Sequence, residues 1–334
     1  MTEQASGQIT EKPRTIINAQ QAQADRTPRT MTSAVIAVLR FDGALVLTLP
    51  AILGCVFGWW MTGRFDWLAF LFVVGGVFSS ALAYQALSAF YDYEQSKSLD
   101  ARPASDLPAS PFALQQNGLL PPTLLLNVGA LLLLIGALCA FWLALLTGWP
   151  MLFFSGMSFL LLAGALIPPV RYAYRGWGLG ETGLFLSFGL LPLLGGYYSQ
   201  TQSLSWLPLV AGWPLALLSL LAPLNQNLAT FRRDWRIGKR TLAVILGPAH
   251  ALDLNAAVTM AAYAGILIVT VIARLPLWYL VGLGTSPLAM GVYSGIKRTD
   301  VSVDDGYRLR DAAIKAAVWT AVLIVAALLI SRPG

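Results

Sequence analysis

Residues 123–146 read TLLLNVGALLLLIGALCAFWLALL, without one charged side chain. Coiled as an α-helix, this stretch is about 36 Å long at 1.5 Å per residue, enough to cross a hydrocarbon core of roughly 30 Å. Similar stretches recur at 38–61, 67–90, 150–168, 179–198, 206–229, 254–273, 276–295 and 312–331, nine in all. The 334 residues are 57% hydrophobic and 11% charged, with a mean hydropathy of +0.66. A soluble domain of this size needs far more polar surface, so the chain is predicted to be an all-α integral membrane protein of about nine transmembrane helices. That domain is expected over residues 31–334. Residues 1–30, rich in Gln, Thr and Ala, are expected to form a disordered cytoplasmic tail. No apolar stretch with a cleavage site precedes the first span, so no cleavable signal peptide is expected.

Charge sets the expected orientation. Of the 22 Lys and Arg residues, only Arg64, Arg274 and Arg332 fall on one side of the nine-span arrangement, and the remaining nineteen fall on the other. Excess cations mark the cytoplasmic face, which puts the N-terminus inside and the C-terminus outside. The net charge of +6 then reflects loops facing anionic lipid, and nucleic acid is a poor partner for it. Cys55 and Cys139 lie in apolar helices and read as packing residues. His250, the single histidine, follows Pro248 in a loop and is given no role.

Two short loops on the cationic side, each expected to follow a long apolar helix, concentrate the polar chemistry. One is Phe90-Tyr91-Asp92-Tyr93-Glu94. The other runs Phe231-Arg232-Arg233-Asp234-Trp235 into Gly238-Lys239-Arg240-Thr241. Each ends a long apolar segment, and the two are four segments apart, which suggests duplicated helical units. Asp92 and Asp234 are either interfacial charges or ligands, and carboxylates suit a hard cation such as Mg²⁺, which takes one or two of them plus phosphate oxygens. The arginines of the second segment can serve as topogenic anchors, the reading favoured for Arg236 and for one of Arg232 and Arg233. Lys239 and Arg240 follow a glycine and could hold a diphosphate beside Asp234. Arg171 and Arg175, with Tyr172 and Tyr174 between them, could extend that wall. Glu181 could simply favour a helix N-terminus. Asn225 and Asn227, near the end of an apolar helix, either hydrogen-bond between helices or line a polar cavity.

These residues resemble the UbiA superfamily of intramembrane prenyltransferases, and most of all its 1,4-dihydroxy-2-naphthoate prenyltransferase branch. The resemblance covers nearly all of residues 35–334. It rests on Gly238-Lys239-Arg240-Thr241-Leu242-Ala243-Val244 with Leu246-Gly247, on Tyr174 through Glu181 with Phe188-Gly189 and Gly196-Tyr197-Tyr198, and on Tyr91-Asp92-Tyr93 with Gln115-Gln116 and Gly118-Leu119. The family's first motif reads Asn-Asp-x-x-Asp, where this chain has Ser88, Ala89, Phe90, Tyr91 and Asp92. Its second has two acids four apart, where this chain has Thr230 and Asp234.

The resemblance implies a UbiA-like bundle in the cell (inner) membrane that moves a prenyl group from an allylic prenyl diphosphate to an aromatic acceptor, as in menaquinone biosynthesis. It further implies a reduced Mg²⁺ site on Asp92 and Asp234, helped by Glu94 or Asp100. Lys239, Arg240, Arg171 and Arg175 would neutralise the diphosphate, Ser88, Tyr172 and Asn227 would contact substrate, and Tyr91, Tyr93 and Tyr172 would shelter an allylic cation. The alternative is a UbiA-like protein with altered or lost chemistry that binds an isoprenoid lipid or quinone, or assists a membrane complex. A secondary transporter ranks last, because the mid-span regions hold almost no ionisable residues.

Overall fold

The computed structural model describes residues 30–99, 114–115 and 118–331, and no strand occurs among them. The tail expected at 1–30 lies, except for Thr30, outside the described residues, as do Asp100 and Gln116. The helices are α1 (Met31–Leu39), α2 (Phe41–Thr62), α3 (Trp67–Ser98), α4 (Pro122–Thr147), α5 (Pro150–Leu166), α6 (Leu179–Leu184), α7 (Leu191–Thr201), α8 (Leu207–Arg236), α9 (Leu242–Leu246), α10 (Pro248–Ile272), α11 (Ser286–Met290) and α12 (Val303–Ile330). A π-helical stretch, Phe185–Leu190, joins α6 to α7, and 3-10 turns form at Tyr172–Tyr174, Leu277–Thr285 and Tyr293–Gly295.

Local chemistry sets several of these boundaries. Asp66 caps α3 by accepting a hydrogen bond from the Ala69 amide at 2.9 Å. Ser302 and Asp305 form a reciprocal capping box at the start of α12. Proline begins α4, α5 and α10, where its missing N–H costs nothing. Arg40, in the left-handed region at φ 40°, breaks the first apolar stretch into α1 and α2.

Among the described residues, seven helical spans are long and apolar enough to cross a membrane. Two of the nine expected stretches differ from the rest. The fourth is the 17-residue α5, and the eighth is a 3-10 segment followed by the short α11. Pro276 and Pro287 bracket Gly282 and Gly284 there, a composition that cannot sustain a continuous α-helix.

The polar motifs were expected in loops, and the structure corrects this: both sit in the last turns of long helices. At 32 and 30 residues, α3 and α8 run roughly 48 and 45 Å, well past a hydrocarbon core. Backbone hydrogen bonding propagates a helix beyond the end of its apolar run, and nothing in Phe90–Ser98 or Phe231–Arg236 breaks it.

Helix α8 is the hub. It packs on α12, α10 and α2, and 67% of its apolar window is buried, against 17% for α4. Leu131, Leu134, Leu138 and Phe141 of α4 therefore face the surroundings as a lipid-facing surface does. Exposed Trp149, Trp206 and Trp278 lie beside helix ends, where indole rings favour the lipid–water boundary. Helices α8 and α12 pack backbone to backbone at Gly306, where an added Cβ would fall 2.6 Å from the Ala229 Cα. That contact, one turn before Arg310, fixes the wall of the site described next. Cys55 and Cys139 are free.

Candidate active site

The site lies where α3 and α8 run past the apolar core. Helix α8 ends in a Schellman turn: the Lys239 amide donates to the Asp234 carbonyl at 2.8 Å and the Gly238 amide to that of Trp235 at 3.2 Å. Gly238 adopts φ 70°, a conformation costly for any residue with a Cβ. This reversal turns Lys239 back beneath the helix end, where it is buried beside Asp92 of α3.

Asp92 is 5% exposed and every lone pair on its carboxylate is engaged. Oδ1 accepts from Lys239 Nζ at 3.0 Å and from the Tyr174 hydroxyl at 2.5 Å. Oδ2 accepts from Lys239 Nζ at 3.1 Å and Arg233 Nη2 at 3.2 Å. Asp234 is fully buried: its Oδ1 accepts from Arg233 Nε and Nη2 at 3.0 and 2.7 Å, and its Oδ2 from the Thr230 hydroxyl at 3.0 Å. One guanidinium thus bridges both acids. At position 230 a hydroxyl donates to Asp234, where a second carboxylate would repel it.

The 3-10 turn Tyr172–Tyr174 delivers the phenol of Tyr174. Burial, the nearby charge of Asp92 and the hydrogen bond to it push that phenol well above its ordinary pKa, so it remains a donor. Arg171 stacks its guanidinium 4.3 Å from the Tyr174 ring centroid and donates to Gln95 Oε1 at 2.8 Å. It positions Tyr174 and stands outside the cavity. Behind the site, Glu181 accepts from Asn227 Nδ2 at 3.0 Å and from the Leu242 amide at 2.9 Å. Its carboxylate therefore clamps α8 and the start of α9, a helix other than its own.

A cavity of about 120 Å³ opens against these groups. Its lining includes Arg40, Tyr84, Ser88, Asp92, Gln226, Asn227, Thr230, Arg233, Lys239 and Arg310. Four of these are cations and one is an acid. Arg310 of α12 is held by Asp42 at 2.8 Å and Asp311 at 3.1 Å, whereas among the described residues Arg40 forms no ion pair within bonding distance. Both amide atoms of Gln226 are buried without a partner. A second, apolar crevice of about 70 Å³ lies between α3, α4, α5 and the π-helical stretch, lined by Phe72, Val77, Phe154 and Phe188 among others. The rings of Tyr84 and Phe188 meet edge-on with centroids 6.2 Å apart, one from each cavity.

Sequence reasoning placed Asp92, Asp234, Lys239, Asn227 and Ser88 near one another, and the structure brings them together. Arg240 and Arg175 are exposed, and Arg175 donates to the Pro169 carbonyl. Tyr91, Tyr93, Tyr172 and Glu94 do not line the cavity; the Tyr172 hydroxyl is bound to the Leu161 carbonyl. Arg40, Tyr84, Gln226 and Arg310 were missed. Arg233 was left undecided between anchor and site. Helical phase was the available signal, since positions 226, 230 and 233 follow the three-to-four spacing of one helix face.

These carboxylates do not fit Mg²⁺ as they stand. No group of three or more His, Cys, Asp or Glu that could hold a metal occurs among the described residues, and both acids are taken by protein donors.

The sequence profile of the UbiA prenyltransferase family matches residues 47–308, and the chain belongs to that family. It is 29% identical over 304 residues to the 1,4-dihydroxy-2-naphthoate octaprenyltransferase of Mycobacterium leprae, covering 90% of this chain and 93% of that one. The Mycobacterium tuberculosis protein of the same name is 28% identical over 297 residues, covering 87% and 91%. Among solved structures, a UbiA homolog from Archaeoglobus fulgidus superposes with a TM-score of 0.58 at 15% identity, covering 89% of this chain and 98% of that one. The same homolog bound to GPP and Mg²⁺ gives a TM-score of 0.55 at 14% identity, covering 87% and 99%.

Proposed function

We propose that this enzyme transfers a prenyl group from an allylic prenyl diphosphate to 1,4-dihydroxy-2-naphthoate or a closely similar aromatic acceptor, a step of menaquinone biosynthesis. The observation that carries the reading is the pairing of a cation-lined cavity with an apolar crevice across Tyr84 and Phe188. Such a pair suits an amphiphile with an anionic head and a hydrocarbon chain. Similarity to naphthoate octaprenyltransferases along nearly the whole chain supports the acceptor class.

In this reading the head group lies against Arg40, Arg233 and Lys239. The allylic C–O bond breaks and its electron pair leaves on the diphosphate oxygen, where the cations stabilise the growing charge. The Tyr84 ring faces the positive carbon. A ring carbon of the acceptor supplies the pair for the new C–C bond and then gives up its proton to the departing diphosphate, and the unpartnered Gln226 amide binds a polar group of that acceptor. The cationic end is placed at the cytoplasmic face of the cell membrane, supported by the charge asymmetry of the chain.

The test is product formation. Purified protein in nanodiscs is incubated with labelled prenyl diphosphates and 1,4-dihydroxy-2-naphthoate. A prenylated naphthalene product supports the reading. Absence of product, beside a relative that forms it under the same conditions, overturns it.

A further inference from the structure

Resting on the prenyl-diphosphate reading, we infer that this cavity binds the diphosphate through its own cations, without a bridging magnesium ion. Three observations carry this. The first is occupancy: the Arg233 guanidinium lies between Asp92 and Asp234, with Nη2 3.2 and 2.7 Å from one oxygen of each. A positive charge already stands where two carboxylates would share a metal. Lys239 Nζ lies within 3.1 Å of both Asp92 oxygens, so a metal would have to displace two cations to reach that acid.

The second is charge. Arg40, Arg233, Lys239 and Arg310 line the cavity against the single acid Asp92. Arg310 is paired with Asp42 and Asp311, Arg233 with Asp234 and Lys239 with Asp92, so the cavity offers an incoming ligand the unpaired guanidinium of Arg40 and no free carboxylate oxygen of Asp92. The third is donor supply. Arg233 spends Nε and Nη2 on the two acids, which leaves Nη1 for a ligand. Arg40 makes no side-chain hydrogen bond or ion pair among the described residues, although Asp42 and Tyr307 lie within electrostatic reach, so its guanidinium N–H groups are available to a ligand. Arginine forks match phosphate oxygens in pairs, so these groups can supply both the charge and the directed bonds that a metal ion would otherwise give. The substitutions are coherent: Thr230 stands where an acid would pair with Asp234, and Arg233 and Lys239 together neutralise the two acids that remain.

The experiment is calorimetric titration of the full chain in nanodiscs with inorganic pyrophosphate, once in EDTA and once in excess Mg²⁺, beside the product assay under the same two conditions. Binding in EDTA with an affinity within about threefold of that in Mg²⁺ is expected, and Arg40→Gln should weaken it about tenfold or more, the usual scale for a charge-assisted bond. Arg40 pairs with no carboxylate among the described residues, so this variant strands no buried acid, and its melting temperature serves as the folding control. Arg233→Asn removes the cation that stands between the two acids, leaving Lys239 on Asp92, and should weaken binding in EDTA more than binding in Mg²⁺. Pyrophosphate bound only when Mg²⁺ is present overturns the inference, and product formed only with Mg²⁺ does so while leaving the transferase reading intact. Tight binding in EDTA with no product under either condition upholds the inference and removes the transferase reading.

Discussion

Arg233 of α8 reaches Asp92 of α3 across 141 positions of sequence, its Nη2 standing 3.2 Å from Oδ2. This bond joins the two helices that carry the polar motifs and makes their charges interdependent. An acid in this setting supports the fold as well as the chemistry.

Asp92→Ala should therefore cost stability and activity together. It strands Lys239 in a buried site and takes one of the two carboxylates from Arg233, and loss of one partner from a buried ion pair typically costs about 3–5 kcal/mol. Thermal unfolding in detergent should show a clear fall in melting temperature. An unchanged melting temperature would mean that the network contributes no stability.

Tyr174 gives a pH signature. Its phenol is held protonated in the folded protein by burial and by Asp92, whereas in the unfolded chain it ionises near pH ~10. Its folded pKa lies above its unfolded one, so its contribution to stability is complete below about pH 10 and is lost as pH rises beyond it. Melting temperature should fall above that value, and the fall should be shallower in Tyr174→Phe. Identical slopes would show that Tyr174 does not titrate differently on unfolding.

Gln226→Leu should raise KM for the aromatic acceptor about tenfold or more, with little change for the prenyl diphosphate. The apolar replacement keeps the volume and removes a buried amide available to a polar substrate group. Equal effects on both substrates would place the amide elsewhere in the reaction.

Glu181→Gln should be milder than Glu181→Ala. Glutamine keeps an acceptor for the Leu242 amide, whereas alanine releases α9 from Asn227 and α8, a loss of about 1–3 kcal/mol. Hydrogen exchange at Leu242–Leu246 reports it directly, and equal protection in both variants would show that the clamp is idle.

The apolar runs made the architecture legible, because crossing a hydrocarbon layer demands length and apolarity and little else. They could not foresee that α3 and α8 continue as helices through the motifs, since hydropathy falls there while backbone bonding persists. The broken stretch at Leu277–Met290 was disguised by its composition, as apolar as a span but interrupted by proline and glycine. At the site, Asp92, Asp234 and Lys239 carried local signals in their motifs. Arg40 and Arg310 carried none. Each reads as one more cation beside a membrane segment, and only the packing of α1, α2 and α12 against α3 and α8 turns them toward the cavity. Tyr84 was hidden for the opposite reason, as an aromatic residue in mid-helix looks like any other core residue.

Because Asp92 and Arg233 ride near the far ends of two rods of 32 and 30 residues, their separation works as the tip of a lever. A small tilt of one rod against the other moves the tips further than it moves the packed middle, so a thinner or thicker bilayer would be registered first as a stretched ion pair. The lipid around this enzyme is in that sense a mechanical input to an electrostatic device.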